Sequence, residues 1–229
     1  WGWGAQAVRG GCDLARGGGG AVGIGGPKGA GKTTVLTVLS GALTPDAGTI
    51  LFRGRDVTAR DAAQRSTMGV GRTHQVPRPF AGMTVFENLL VGATAGGRKR
   101  GADAYRLCLD VLEQCELAHL ANRRAGDLGL LQRKRLELAR ALAVEPTVLL
   151  LDEIGAGLTD AESAALVSTV SDLRDRGIAI LWIEHIVHVL LQVVTRLVCM
   201  DAGRVIADGP PEVAVSQAAE IDAYLASQA

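Results

Sequence analysis

The chain has 229 residues, of which 48% are hydrophobic, enough for one large domain or a domain carrying an inserted subdomain. Twenty-four basic side chains balance 24 acidic ones, so no global field recruits nucleic acid or a lipid surface. No uninterrupted apolar run reaches the roughly 18 residues that a bilayer-spanning helix needs. The four cysteines, Cys12, Cys108, Cys115 and Cys199, make no C-x-x-C pair and follow no secretory signal, so they read as small buried hydrophobes. The chain starts at Trp1 without a methionine, as a fragment or the trailing part of a longer polypeptide would.

Thirty glycines make up about 13% of the chain, against a usual value of about 7%, and they crowd its beginning. Gly10-Gly11 and the run Gly17 to Gly20 interrupt what should be strands. Trp1 and Trp3 stand where a ring could stack on an adenine or cover the core edge. Ala21 to Ile24 is a candidate short strand and Val35 to Leu39 a candidate helix. Between them lies Gly26-Pro27-Lys28-Gly29-Ala30-Gly31-Lys32-Thr33-Thr34, with the spacing G-x-x-x-x-G-K-T. That spacing marks a phosphate-binding loop. Glycines let backbone N–H groups turn inward around a dense negative charge. Lys32 is placed for the β- and γ-phosphates, Thr33 for Mg²⁺, and the following helix aims its N-terminus at the phosphates.

Pro45 closes the first helix at Leu43-Thr44. Thr49 to Phe52, a turn at Gly54 and Val57 predict a small antiparallel arm. Val70 to Gln75 reads as a strand ending on a polar residue, after which Pro77 and Pro79 force an irregular path. Thr84-Val85-Phe86-Glu87 is a capping box for a helix from Val85 to about Gly92. Gly96 to Gly101 reads as a basic, flexible surface loop. Leu107, Cys108, Val111, Leu112 and Cys115 recur at helical spacing, so residues 76 to about 145 form a helical insert.

Strand texture returns at Val148 to Leu151, a short apolar run suited to a parallel strand buried on both faces, ending at Asp152-Glu153. Thr159 to Glu162 is a second capping box, Leu166, Val167, Val170 and Leu173 the buried stripe of its helix, and Gly177 the stop. Ile178 to Ile183 is another buried strand, ending at Glu184-His185. Leu197 to Met200 and Arg204 to Ala207 form a hairpin about Asp201-Ala202-Gly203. Alternating strands and helices make the chain α/β, a P-loop NTPase core with a mostly parallel sheet, a small antiparallel β arm and an inserted α-helical subdomain.

Ligands of open α/β sheets bind beyond the carboxyl ends of the strands, where Gln75, Asp152, Glu153 and His185 fall. Asp152 is suited to hold Mg²⁺ directly or through water, Glu153 to orient and deprotonate an attacking water, and His185 to contact the γ-phosphate.

The order of these motifs resembles the nucleotide-binding subunits of ABC transporters, over nearly the whole chain. Arg72-Thr73-His74-Gln75, Met83 to Asn88, Leu136 to Leu142 and Ala156-Gly157-Leu158-Thr159 look like the branched-chain amino acid importer branch in particular. The resemblance implies a single ATPase domain, with residues 1–75 and 146–229 as a RecA-like core plus arm and 76–145 as the helical subdomain. It implies ATP and Mg²⁺ as ligands. Two domains would stack head to tail, each phosphate loop facing the other chain's signature segment. Closure would drive membrane permease subunits on the cytoplasmic face of a bacterial inner membrane, served indirectly by a solute-binding protein. Gln75 would couple the metal to the helical subdomain, Glu153 would be the general base and His185 the switch histidine. Residues near Pro77 to Phe86 would help form the permease groove.

Three departures from the family pattern stand out. The signature Leu-Ser-Gly-Gly-Gln falls on Leu128-Gly129-Leu130-Leu131-Gln132, without the serine hydroxyl and with Leu131 where backbone should approach phosphate. Leu128, Gly129 and Gln132 are the nucleotide contacts expected from it. Lys28 replaces the usual asparagine, and Thr159 stands where many members carry aspartate. Two other readings are a non-transport ATPase switch and an impaired subunit paired with a different ATPase. A phosphate-loop kinase is disfavoured by the Glu-His strand end and by the position of the insert.

Overall fold

The computed structural model describes residues 20–184 and 187–226, with side chains described at all of these except 187 and those from 219 onward. Trp1, Trp3, Cys12 and His185, with the expectations attached to them, lie outside the described residues.

Strand β1, Ala21–Gly25, leads into the phosphate-binding loop and helix α1, Lys32–Leu39. The arm follows as β2, Leu51–Phe52, and β3, Arg55–Asp56, paired antiparallel. Arg53 and Gly54 both take positive φ (52° and 74°), the geometry of a two-residue turn whose twist suits a hairpin. Helix α2, Ala62–Thr67, was not anticipated, although Asp61 and Gln64 form a reciprocal capping box at its start.

Strand β4 spans Val70–Arg72, three residues shorter than the sequence suggested. Thr73 still donates its N–H to Leu150 O at 2.9 Å, and beyond it the backbone leaves the sheet. That departure carries Gln75 toward Glu153. Gly71 is required here, since a Cβ would lie 2.7 Å from Ala141 O.

Helix α3, Val85–Val91, opens on the expected Thr84–Glu87 capping box but continues as a π-helical turn, Gly92–Gly96. The basic stretch that follows is at the surface, with Arg98 and Arg100 exposed, and it is also tied to its neighbours. Gly97 donates to Gly92 O, Lys99 donates its N–H to Ala93 O, and Lys99 Nζ pairs with Glu145 at 2.8 Å. Helix α4 is Gly101–Gln114, and helix α5 is Leu130–Leu142. Cys108, Cys115 and Cys199 are buried, as composition indicated.

The second half alternates as expected: β5, Val148–Asp152; α6, Asp160–Asp175; β6, Ala179–Ile183; a short α7, Val187–Leu190; then β7, Arg196–Asp201, and β8, Arg204–Gly209. A C-terminal helix α8, Pro211–Ala226, packs on β7 and β8. The six strands run in the order β4-β5-β6-β1-β7-β8, all neighbours parallel except β7 and β8.

Period-two burial explains the two cores. Leu149, Leu151, Ile180, Trp182 and Leu197 face one side of the sheet, toward a large cluster that includes the buried stripes of α4, α5 and α6. Leu150, Leu181, Ile183, Val22, Ile24, Val198 and Met200 face the other, toward Leu36 of α1. With both faces covered, β5 and β6 must be apolar throughout, which is why their runs were readable.

Candidate nucleotide site

The loop between β1 and α1 is shaped by backbone that only glycine tolerates. Gly26 has φ +137°, and a Cβ there would sit 2.0 Å from Met200 O of β7. Gly31 caps α1 in the left-handed region. Ala30 O accepts the N–H of Gly203 from the β7–β8 turn at 3.1 Å, so the loop is braced from the far end of the chain. Pro27, Lys28 and Gly29 are exposed on its rim, as are Thr33 and Thr34 at the head of α1.

Lys32 is buried, its Nζ donating to Gly26 O at 2.6 Å and Pro27 O at 2.8 Å. Burial pulls its ammonium below the ordinary lysine value, and the Glu153 and Asp152 carboxylates pull it back up. Thr33 Oγ1 lies 3.5 Å from Asp152 Oδ1. A hydroxyl and a carboxylate oxygen, one from each side of the cleft, form the hard donor set that suits Mg²⁺. When bound there the ion would neutralise phosphate charge.

Asp152 ends β5 almost fully buried. Burial pushes its carboxyl above the ordinary aspartate range, against the opposing pull of Arg72, whose guanidinium is 3.6 Å away. Arg72 also donates to Ser40 Oγ and Thr37 Oγ1 of the α1 end. The buried Thr73 hydroxyl accepts from Asp152 N at 3.2 Å. Arg72 and Thr73 were missed as site residues, because their roles exist only once β4 pairs with β5.

Glu153 takes φ +46°, a left-handed conformation that is strained for glutamate. Its N–H is held by Ile183 O at 2.9 Å, and its Oε2 accepts from Gln75 Nε2 at 2.5 Å. Gln75 and Glu153, read separately as site residues in the sequence, are therefore brought together. Lys134 of α5, also missed, is 3% exposed and donates to the carbonyls of both Gln75 and Glu153. Glu184, at the end of β6, is buried with Oε2 accepting from Gly155 N.

The signature-like segment sits at the start of α5. Leu128 is 3% exposed and built into the core, which does not fit the ligand contact expected of its side chain. Gln132 Oε1 accepts from Gly129 N, capping α5. Leu130 is exposed and leans on Gly157, whose built Cβ would lie 3.3 Å from it.

A phosphate loop braced inside a parallel sheet, with a hydroxyl–carboxylate pair and a glutamate at the carboxyl edge, defines a nucleoside triphosphate-binding protein of the P-loop α/β class. Within that class, residues 12–156 match the family described as ABC transporter, and the chain belongs to this family. It is 33% identical over 199 residues, 82% of this chain and 77% of the relative, to a probable branched-chain amino acid transport ATP-binding protein LivG of Methanocaldococcus jannaschii. It is 36% identical over 215 residues to the high-affinity branched-chain amino acid transport ATP-binding protein LivG of Escherichia coli K12, covering 87% of this chain and 84% of that one. Among solved structures, the ADP conformation of an ATP-binding cassette of an ABC transporter superposes with a TM-score of 0.79 at 33% identity, covering 86% of this chain and 83% of that one.

Proposed function

We propose that this chain hydrolyses ATP to power import of branched-chain amino acids, or related small polar solutes, through separate membrane permease subunits. The observation that carries the reading is the convergence of Lys32, the Thr33–Asp152 oxygens and the Gln75–Glu153 pair on one sheet edge of an ABC-family chain. Gly26 to Thr34 would cradle the phosphates, with Lys32 against the β- and γ-oxygens. Thr33 and Asp152 would hold Mg²⁺. Glu153, steadied by Gln75, would orient and deprotonate water, and His185 would touch the γ-phosphate. Gly129 and Gln132 would meet the nucleotide of a second ATPase subunit, the same chain or a relative.

The permease would dock on the helical subdomain, residues 76–145. Asn88 pins Phe80 there by two backbone hydrogen bonds and leaves its ring exposed beneath Arg140, 5.0 Å away. Among the described residues no helix is long and apolar enough to cross a membrane, which fits a peripheral place on the cytoplasmic face of a bacterial inner membrane, with a solute-binding protein as an indirect partner.

The test is the solution mass of Glu153→Gln by light scattering, with and without Mg-ATP. A doubled mass on adding nucleotide is expected, because the closed pair is trapped before hydrolysis. Nucleotide binding with an unchanged mass would sink self-pairing and favour a related ATPase as partner, a reading supported by Leu130 and Leu131 in the signature segment. Absence of nucleotide binding would overturn the function itself.

A further inference from the structure

Lys134 closes a ring. Its Nζ donates to Gln75 O at 2.9 Å and to Glu153 O at 3.1 Å, while the Gln75 amide donates to the Glu153 carboxylate. A single buried ammonium thus holds the backbones of both partners in the one side-chain pair that would handle water. The Glu153 carbonyl that it grips also accepts from Ala156 N, fixing the turn in which Glu153 is strained to positive φ. Burial works against this ammonium, and the charges of four carboxylates, those of Glu184, Glu153, Asp152 and Glu137, favour it. Three of them come from the sheet edge and one from α5 itself, so the cation is tied to the site as well as to its own helix.

Lys134 lies about one helical turn beyond Leu130. The same rigid helix therefore begins in the segment that would face a second subunit's nucleotide and, one turn on, grips this chain's own base.

We infer that Lys134 is a positioning residue, which sets the posture of Glu153 and Gln75 and makes it depend on where α5 sits. The inference rests on the proposed role of Glu153. Movement of α5, imposed at residues 129–132, is delivered to the base by two hydrogen bonds from one atom. Lys134 is 3% exposed and its Nζ is directed at two backbone carbonyls, so its loss is expected in turnover rather than in nucleotide affinity.

The test compares Lys134→Met, Lys134→Gln and Lys134→Arg in the full chain, by hydrogen exchange of segments 73–80 and 152–158 and by ATP affinity, KM and kcat. Lys134→Met should speed exchange in those two segments while leaving α4 and α6 unchanged, and lower kcat on the order of 100-fold with ATP affinity within about twofold, as a misplaced catalytic group does. Lys134→Gln should fall between, and Lys134→Arg should restore both readouts, since its fork can reach two carbonyls. Unchanged exchange in both segments would overturn the inference, as would a loss spread evenly over α4 and α6, or a change in affinity alone. Wild-type chain that binds ATP without hydrolysing it would count against the proposed function, and the exchange pattern would still decide the role of Lys134.

Discussion

Replacing Arg65 with methionine should cost this fold about 3 kcal/mol, although Arg65 touches neither phosphate loop nor carboxylate. Its side chain is 1% exposed, and its guanidinium donates to five carbonyls: those of Val38 and Leu39 at the end of α1, Val57 and Thr58 after the arm, and Arg60 before α2. The last carbonyls of a helix have no intrahelical partner, and Arg65 supplies one. Val38 O and Val57 O also accept from the N–H groups of Gly41 and Arg60. The loss therefore concentrates on Leu39, Thr58 and Arg60, at roughly 1 kcal/mol for each carbonyl deprived of its donor. Counting all five bonds would overstate the cost, because burial disfavours the charged guanidinium and methionine recovers part of that desolvation. At about 2–4 °C per kcal/mol for a chain of this size, the melting temperature should drop by about 6–12 °C. Thermal melts by circular dichroism measure this, with Arg65→Lys expected between the two because it keeps a charge and three donors. An Arg65→Met midpoint within about 2 °C of wild type would refute the reasoning and show that solvent replaces the lost donors.

Asp152→Asn should abolish ATP turnover yet raise the melting temperature at neutral pH. Burial lifts the folded-state carboxyl above its ordinary value, so its stabilising protonated form is complete below the unfolded pKa of about 3.9 and is lost as pH rises through the folded one. Melts at pH 7 and near pH 4 should show the advantage of the variant closing as wild type protonates; a lower midpoint at pH 7 would mean that the Arg72 pair outweighs burial. Cys115, whose thiol burial pushes up to about 12, should resist alkylation in native protein at pH 8 and react in urea, as read by peptide mass spectrometry.

Legibility in the sequence followed locality. The phosphate loop, the apolar run Val148 to Leu151 and the capping boxes at Thr84 and Thr159 are each complete within a few residues, and each stands where it was read. Asp61-Ala62-Ala63-Gln64 carried the same kind of local signal but no apolar stripe followed it, so α2 was passed over. Arg72, Thr73 and Lys134 look like ordinary surface residues in sequence. Their partners lie far along the chain, on β5, at the end of α1 and in the turn after Asp152, and become neighbours only through the sheet order. The basic run at residues 98–100 is at the surface, as its charge indicated, while its pairing with Glu145 beyond α5 depends on a distant partner.

The bracing of the phosphate loop by the β7–β8 turn bears on how the protein is made. β1 is sandwiched between β6 and β7, and Gly26 threads beneath Met200 O. The loop sequence, which ends at Thr34, leaves the ribosome long before the strands that flank β1, namely β6 from Ala179 and β7 from Arg196. A nascent chain consequently carries the motif without the cradle, and truncated chains ending before β7 should be blind to nucleotide. Competence to hold ATP thereby reports completion of the sheet.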